Sequence, residues 1–164
     1  MSRESIQRHQ IADYINIGGS TGVEKYELMG AGFNTLDENP AAQLDTKVYI
    51  NDKSSSTTIK SYQTQFPFTS DLIKSEGAVM ALYNVGRNHL TGADAQFDYV
   101  KVELFQPIEG SENTYKARKF IVSCEVAGLA GAGGETIVVS GNLNAVGDFI
   151  EGTFNTATKT FTAI

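Results

Sequence analysis

The stretch Tyr115–Ala127, YKARKFIVSCEVA, constrains the fold more than any other part of the chain. Phe120, Val122, Cys124 and Val126 fall on one side of it, and Lys119, Ile121, Ser123 and Glu125 on the other. Strand side chains point alternately to two faces, so this pattern predicts a long strand with one face in a core. Shorter stretches repeat it. Gln96–Phe105 sets Val100, Val102 and Leu104 against Lys101 and Glu103, and Glu135–Asn144 turns Ile137, Val139 and Leu143 inward. Thr58–Phe68 places Tyr62, Phe66 and Phe68 on one face, with Pro67 favouring an edge or a strand end. Tyr14–Ile17 leads to a turn at Gly18–Gly19, and Val23–Met29 alternates before a bend at Gly30 and Gly32. Phe149–Phe154 and Lys159–Phe161 form a hairpin across Asn155–Thr158, and Gly128–Gly134 is a small-residue loop.

One segment breaks the pattern. Between Phe66 and Gly92 the apolar residues Ala78, Val79, Leu82 and Tyr83 recur at helical spacing, which predicts an amphipathic helix over about 75–87. Ser75 is the expected N-cap, Glu76 suits the positive helix end, and Gly86 with Arg87 beside it is the expected stop. Gly77 lowers the local propensity, so this helix depends on packing. Val79, Leu82 and Tyr83 are its expected core contacts.

Many strands, one helix and no βα alternation predict a mainly β fold, an antiparallel β-sandwich or partial barrel with the helix flanking it. Sixteen glycines suit such a turn-rich chain. The polar residues Met1–Ala12 form an expected N-terminal arm before one domain, 13–164. Within that domain Asn34–Thr57 is polar and irregular, with only Val48–Ile50 suited to a strand. A loop of that length is either functional or a mobile hairpin tip.

No run approaches the roughly 20 apolar residues of a membrane span, and the N-terminus lacks a signal-peptide core. A single cysteine, Cys124, fits synthesis in a reducing cytoplasm. A net charge of −6 argues against a nucleic-acid binder, which needs a basic face. It does not argue against a surface that DNA passes without sticking.

Catalytic patterns are missing. His9 and His89 have no partners at metal-ligand spacing and read as surface residues, and Cys124 reads as a small core hydrophobe. GLAGAGGE lacks a lysine ending and precedes a strand rather than a helix, so it is no phosphate loop. Asp45, Asn51 and Asp52 do not follow the EF-hand pattern. No enzyme, metal or cofactor is expected.

Three segments resemble one known family: GFNTLDENPAAQLDTKVYINDKSSSTTIKSYQTQFPF, IKSEGAVMALYNVGRNHLTG and VSGNLNAVGDFIEGTFNTATKTFT. Together they look like the major tail proteins, or tail tube proteins, of long-tailed, non-contractile bacteriophages of Gram-positive bacteria. The likeness runs from about Gly30 to Thr162. It implies a structural virion protein whose subunits form hexameric rings, stacked into a tube that conducts viral DNA into the host. It further implies a tape measure protein inside the tube, with tail terminator and distal tail proteins at its ends. Some members carry an added immunoglobulin-like domain; none is expected here, where the sequence runs to Ile164.

On this resemblance the 34–57 loop is the inter-ring stacking loop. Its candidate contacts are Asp37, Glu38, Asn39, Pro40, Asp45, Lys47, Tyr49, Asn51, Asp52 and Lys53. The lumen would be lined by polar faces of the long strands, with candidates Lys101, Glu103, Ser123, Glu125, Ser140 and Asn142. Alternation gives the same pattern for an ordinary solvated face. The competing reading is a carbohydrate-binding or other β-sandwich binding module, weakened by the absence of Trp. A β-sandwich hydrolase lacks any recognisable nucleophile–base pair.

Overall fold

In a computed structural model, which describes residues 3–18 and 23–164, the predicted β architecture is present. The strands are β1 (Ile11–Asn16), β2 (Tyr26–Leu28), β3 (Phe33–Leu36), β4 (Ala42–Lys47), β5 (Ser56–Tyr62) and β6 (Gln65–Asp71). The helix α1 (Gly77–Arg87) follows, then β7 (Gln96–Pro107), β8 (Thr114–Ala130), β9 (Val138–Ala145), β10 (Ile150–Asn155) and β11 (Thr160–Ala163). Nine strands form one antiparallel sheet in the order β2-β1-β7-β8-β9-β6-β3, with β10 and β11 branching from β8. Strand β8 is long enough to pair with β7 along one edge and, along the other, first with β10 and then with β9. Among the described residues, strands β4 and β5 pair only with each other. The expected turn residue Gly19 lies outside the described residues.

The register sorts side chains between two cores. Ile15 lies opposite Tyr99, and Tyr99 opposite Phe120, so all three share a face. There they pack with Phe66, Val122 and Leu143 beneath α1. Phe66 sits 4.8 Å from the Tyr99 ring and 4.9 Å from Phe120. On the other face Tyr14, Val100, Val102 and Ala117 form a second core, closed by Tyr26 and Phe154. The middle of β7 is therefore buried on both sides, although alternation suggested only one. Tyr62 is exposed and belongs to β5, because the chain crosses from one sheet to the other between Tyr62 and Gln65. Ile137 is likewise exposed, ahead of β9 rather than in it.

Helix α1 buries Ala78, Val79, Leu82 and Val85, with Tyr83 half-buried against the first core. Its ends differ from the expectation. Glu76, not Ser75, occupies the N-cap and makes no side-chain capping bond. Gly86 lies inside the helix, where a Cβ would come within 2.8 Å of Val126 Cβ. Its missing side chain lets the helix approach β8. The helix stops at His89, which takes the left-handed conformation at φ 51°. Leu90 then donates to the Val85 carbonyl at 3.0 Å, and His89 to Gly86 at 3.4 Å, the bond pattern of a Schellman motif.

Candidate functional site

The segment read as an irregular loop is mostly a hairpin. Its ladder runs from Ala42 opposite Tyr62 to Lys47 opposite Ser56, with a bulge at Gln43/Leu44. Leu44 faces Ile59, and the Thr46 and Thr57 hydroxyls lie 3.1 Å apart. Val48–Ile50, expected to be the strand, instead begin the exposed tip, where Asp52 donates to the Tyr49 carbonyl at 3.0 Å. Every residue of β5 is exposed, and Ile50 is fully so. Leu44, Val48, Tyr49, Ile59 and Tyr62 are also large and exposed. A two-stranded hairpin alone in water is marginal at best. Large apolar side chains are thus concentrated on an exposed ribbon.

Its base is anchored. Arg118 donates to both Glu38 carboxylate oxygens, at 3.0 and 2.8 Å. The guanidinium lies 5.3 Å from the Phe120 ring and 5.4 Å from Phe149. Burial works against its charge, but the Glu38 bonds outweigh that and raise its pKa. Asn39 and Gln65 exchange two backbone hydrogen bonds, at 2.8 and 2.9 Å. Asp37 donates to the Pro67 carbonyl at 3.0 Å.

A second charged group lies deeper. Asp13 is buried and accepts from Arg8, from the Tyr99 hydroxyl and from Lys101 at 3.2 Å. Burial, reinforced by the Asp13 charge, pushes the Tyr99 phenol well above its ordinary range. Arg8 also donates to the Ile11 carbonyl at 2.8 Å and to Leu36 at 3.3 Å. One guanidinium thus joins the N-terminal segment to both β1 and β3. The expected arm boundary at residue 12 cuts through β1 itself.

The polar face of the sheet is continuous. Register places Asn142 opposite both Pro67 and Glu125, Asn144 opposite Gln65 and Ser123, and Ser123 opposite Gln96. Ser140 lies opposite Thr69, and Asp71 and Asp98 extend the same face. Asp71, Asp98 and Glu125 are its carboxylates, and Lys119, further along the same side of β8, turns its ammonium to the Phe161 ring at 5.6 Å. The first core, under α1, occupies the reverse side.

The geometry then meets known structures. Over 90% of this chain and 78% of that one, the fold matches the SPP1 tail tube, solved by solid-state NMR and cryo-EM, with a TM-score of 0.64 and 11% sequence identity. It matches the tail of an empty GTA particle with C6 symmetry at 0.59 and 8%, over 97% and 100% of the two chains. A six-fold symmetrised baseplate of the anti-feeding prophage matches at 0.51 and 8%, over 91% and 95%. The fold is that of a phage tail tube protein. No protein-family model and no curated protein matches the chain by sequence.

Within the tail tube fold, the expected site residues separate. Of the stacking-loop set, Asp45, Lys47, Tyr49, Asn51, Asp52 and Lys53 lie on the projecting hairpin. Asp37, Glu38, Asn39 and Pro40 lie at its base, and Glu38 serves there as an anchor. Of the lumen set, Ser123, Glu125, Ser140 and Asn142 share the polar face. Lys101 does not: it is 6% exposed and bound to Asp13. Glu103 shares Lys101's side of β7 and accepts from Gln106. Both therefore lie on the face opposite Ser123. Asp13 escaped the sequence reading because its buried partners, Tyr99 and Lys101, stand 86 and 88 residues away.

Among the described residues no group of three or more His, Cys, Asp and Glu side chains converges as a metal site. Cys124 is buried, and desolvation with the nearby Glu125 pushes its thiol up to about 12, far from a reactive thiolate.

Proposed function

We propose that this chain is the major tail tube subunit of a long-tailed, non-contractile phage of a Gram-positive host. It is a structural protein without catalytic chemistry, placed in the virion tail after synthesis in the host cytoplasm. Six copies close into a ring, and rings stack into a tube that conducts DNA during ejection. The observation that carries this reading is the hairpin β4–β5: an exposed, apolar-tipped ribbon anchored at its base, projecting from a tail tube fold. A closing head-to-tail contact makes a ring, and an axial contact extends it.

The polar sheet face suits the bore. Its carboxylates Asp71, Asp98 and Glu125 outnumber Lys119 on that side of β8, and the excess repels a polyanion, so DNA slides past without specific binding. A tape measure protein would occupy this bore during assembly, with terminator and distal tail proteins closing the ends. Ring closure would also pair open sheet edges that otherwise invite uncontrolled association.

Electron microscopy of the purified chain, alone and with its tail partners, tests the proposal. Six-fold rings or tubes are expected. Deleting Leu44–Ser55 should leave a folded subunit that forms no tubes. Strictly monomeric behaviour of the full chain under all these conditions refutes the reading.

A further inference from the structure

The hairpin β4–β5 leaves the body through a narrow elbow. Just before it, Asn39 pairs with Gln65, and the Thr64 carbonyl accepts from the Ala145 backbone at 3.0 Å. Beyond these, among the described residues, every hydrogen bond and ion pair of residues 42–62 stays within 41–63. Packing does not steer the ribbon either. A cleft of about 510 Å³ opens between its base at Tyr62 and Thr64 and the turn at Gly147, Asp148 and Phe149. The direction of the ribbon is therefore decided at the elbow.

There Ala41 takes the left-handed conformation at φ 49°. A residue with a Cβ is strained in that region, and such a conformation persists only where its surroundings over-determine it. The Ala41 carbonyl accepts from the Gln63 backbone at 3.1 Å and from the Gln43 side chain at 3.0 Å, but both donors travel with the ribbon. Arg118, on β8, ties the turn to the body from the side. Its Nη1 and Nη2 grip the two Glu38 oxygens, and its Nε makes no hydrogen bond among the described residues. Phe120 and Phe149 stand 5.3 and 5.4 Å from the guanidinium. A two-pronged pair fixes orientation as well as distance, and the rings fix the plane of the fork. The structure assigns Arg118 a positioning role: it aims the hairpin in the free subunit, before any partner is present. The lever is long. From Ala42 to Tyr49 the ribbon reaches about 25 Å, so a turn of about 10° at the elbow moves the tip by about 4 Å, nearly the spacing of paired strands. That this aim serves tube growth rests on the tail tube reading.

The test measures the aim directly, on the full-length unassembled subunit. Spin labels at Ile50→Cys on the tip and Leu129→Cys on β8, both exposed, report tip-to-body distances by double electron–electron resonance; Cys124 is buried and takes no label. The parent should give one narrow distribution. Arg118→Lys keeps the charge but loses the planar fork, and Glu38→Gln keeps the shape but loses the charge. Each should widen the distribution at least twofold with the circular dichroism spectrum unchanged. Glu38→Gln leaves Arg118 on its rings, so it carries the test should Arg118→Lys fail to fold. A pair that merely stabilises would lower the melting temperature and leave the distribution narrow. That result, or a parent already broad, overturns the proposal. Without the labelling cysteines, both variants should need at least tenfold more protein than the parent to form tubes. Normal assembly despite a widened distribution overturns the link between aim and growth. A parent that never assembles overturns the tail tube reading, while the distance measurement still decides the role of Arg118.

Discussion

Asp13→Ala is the most informative single change. The carboxylate is 2% exposed and faces Lys101, itself 6% exposed, at 3.2 Å. Removing one member of a buried ion pair costs about 3–5 kcal/mol, because the surviving charge is left in a poor solvent. The Tyr99 hydroxyl would also lose its acceptor, worth about 1–3 kcal/mol by itself. These groups share one network, so their costs overlap rather than add. A loss of about 4 kcal/mol follows. At about 2–4 °C per kcal/mol for a chain of this size, the melting temperature should fall by roughly 8–16 °C. Urea unfolding of the unassembled subunit measures it, as a lower midpoint at unchanged slope. Arg8, half in solvent, contributes little: Arg8→Ala should cost under about 1 kcal/mol. Adding Lys101→Met to Asp13→Ala removes the stranded charge and should recover at least about 2 kcal/mol. If Asp13→Ala costs less than about 1 kcal/mol, or Lys101→Met rescues nothing, Lys101 is not held by Asp13. Strand register alone then keeps Lys101 off the face of Ser123.

Three further outcomes can be checked on the unassembled subunit. Gly86→Ala should destabilise by about 1–2 kcal/mol despite the better helix propensity of alanine, because its Cβ would press Val126 at 2.8 Å; a rise in melting temperature would show that the helix stands off the sheet. His89→Gly should stabilise by about 0.5–1 kcal/mol, since glycine adopts the left-handed helix stop without the strain that His89 bears at φ 51°; unchanged or lower stability counts against that stop. Cys124 links stability to alkaline pH. Its folded pKa, about 12, lies above the ordinary value of 9.0, so its contribution is fully present below pH 9 and is lost as pH rises towards 12. Between pH 9 and 10 the subunit should lose up to about 1.4 kcal/mol that Cys124→Ala retains; parallel pH profiles would refute the assignment.

Burial made some of the fold readable and hid the rest. Strand β8 could be read because one of its faces is dry: Phe120, Val122 and Cys124 alternate with solvated positions over a long run. The α1 stripe was readable for the same reason, although Val85 was missed. The hairpin left no such trace. With both of its faces in solvent, nothing in the subunit selects an apolar face, and Leu44 and Ile59 look like scattered exceptions. Its family phrases, rather than its periodicity, marked it as functional.

Strand β7 shows the opposite failure. Its two faces meet two different cores, so the lysine at position 101 looked like the polar half of an ordinary alternation. Only the approach of Asp13 makes its burial tolerable. Lys101 and Glu103 on β7 and Ser123 and Glu125 on β8 present the same pattern, yet the pairing of Tyr99 with Phe120 puts them on opposite faces.

By itself, then, the sequence determined that the chain forms an antiparallel sheet with one packed helix, because period-two and period-3.6 burial are local properties. It also carried the likeness to tail tube proteins. The tertiary structure alone decided which polar residues share a face, where charge is buried and which segment stands free for a partner. Those depend on strand register and on groups far apart in the chain, and no local pattern contains them.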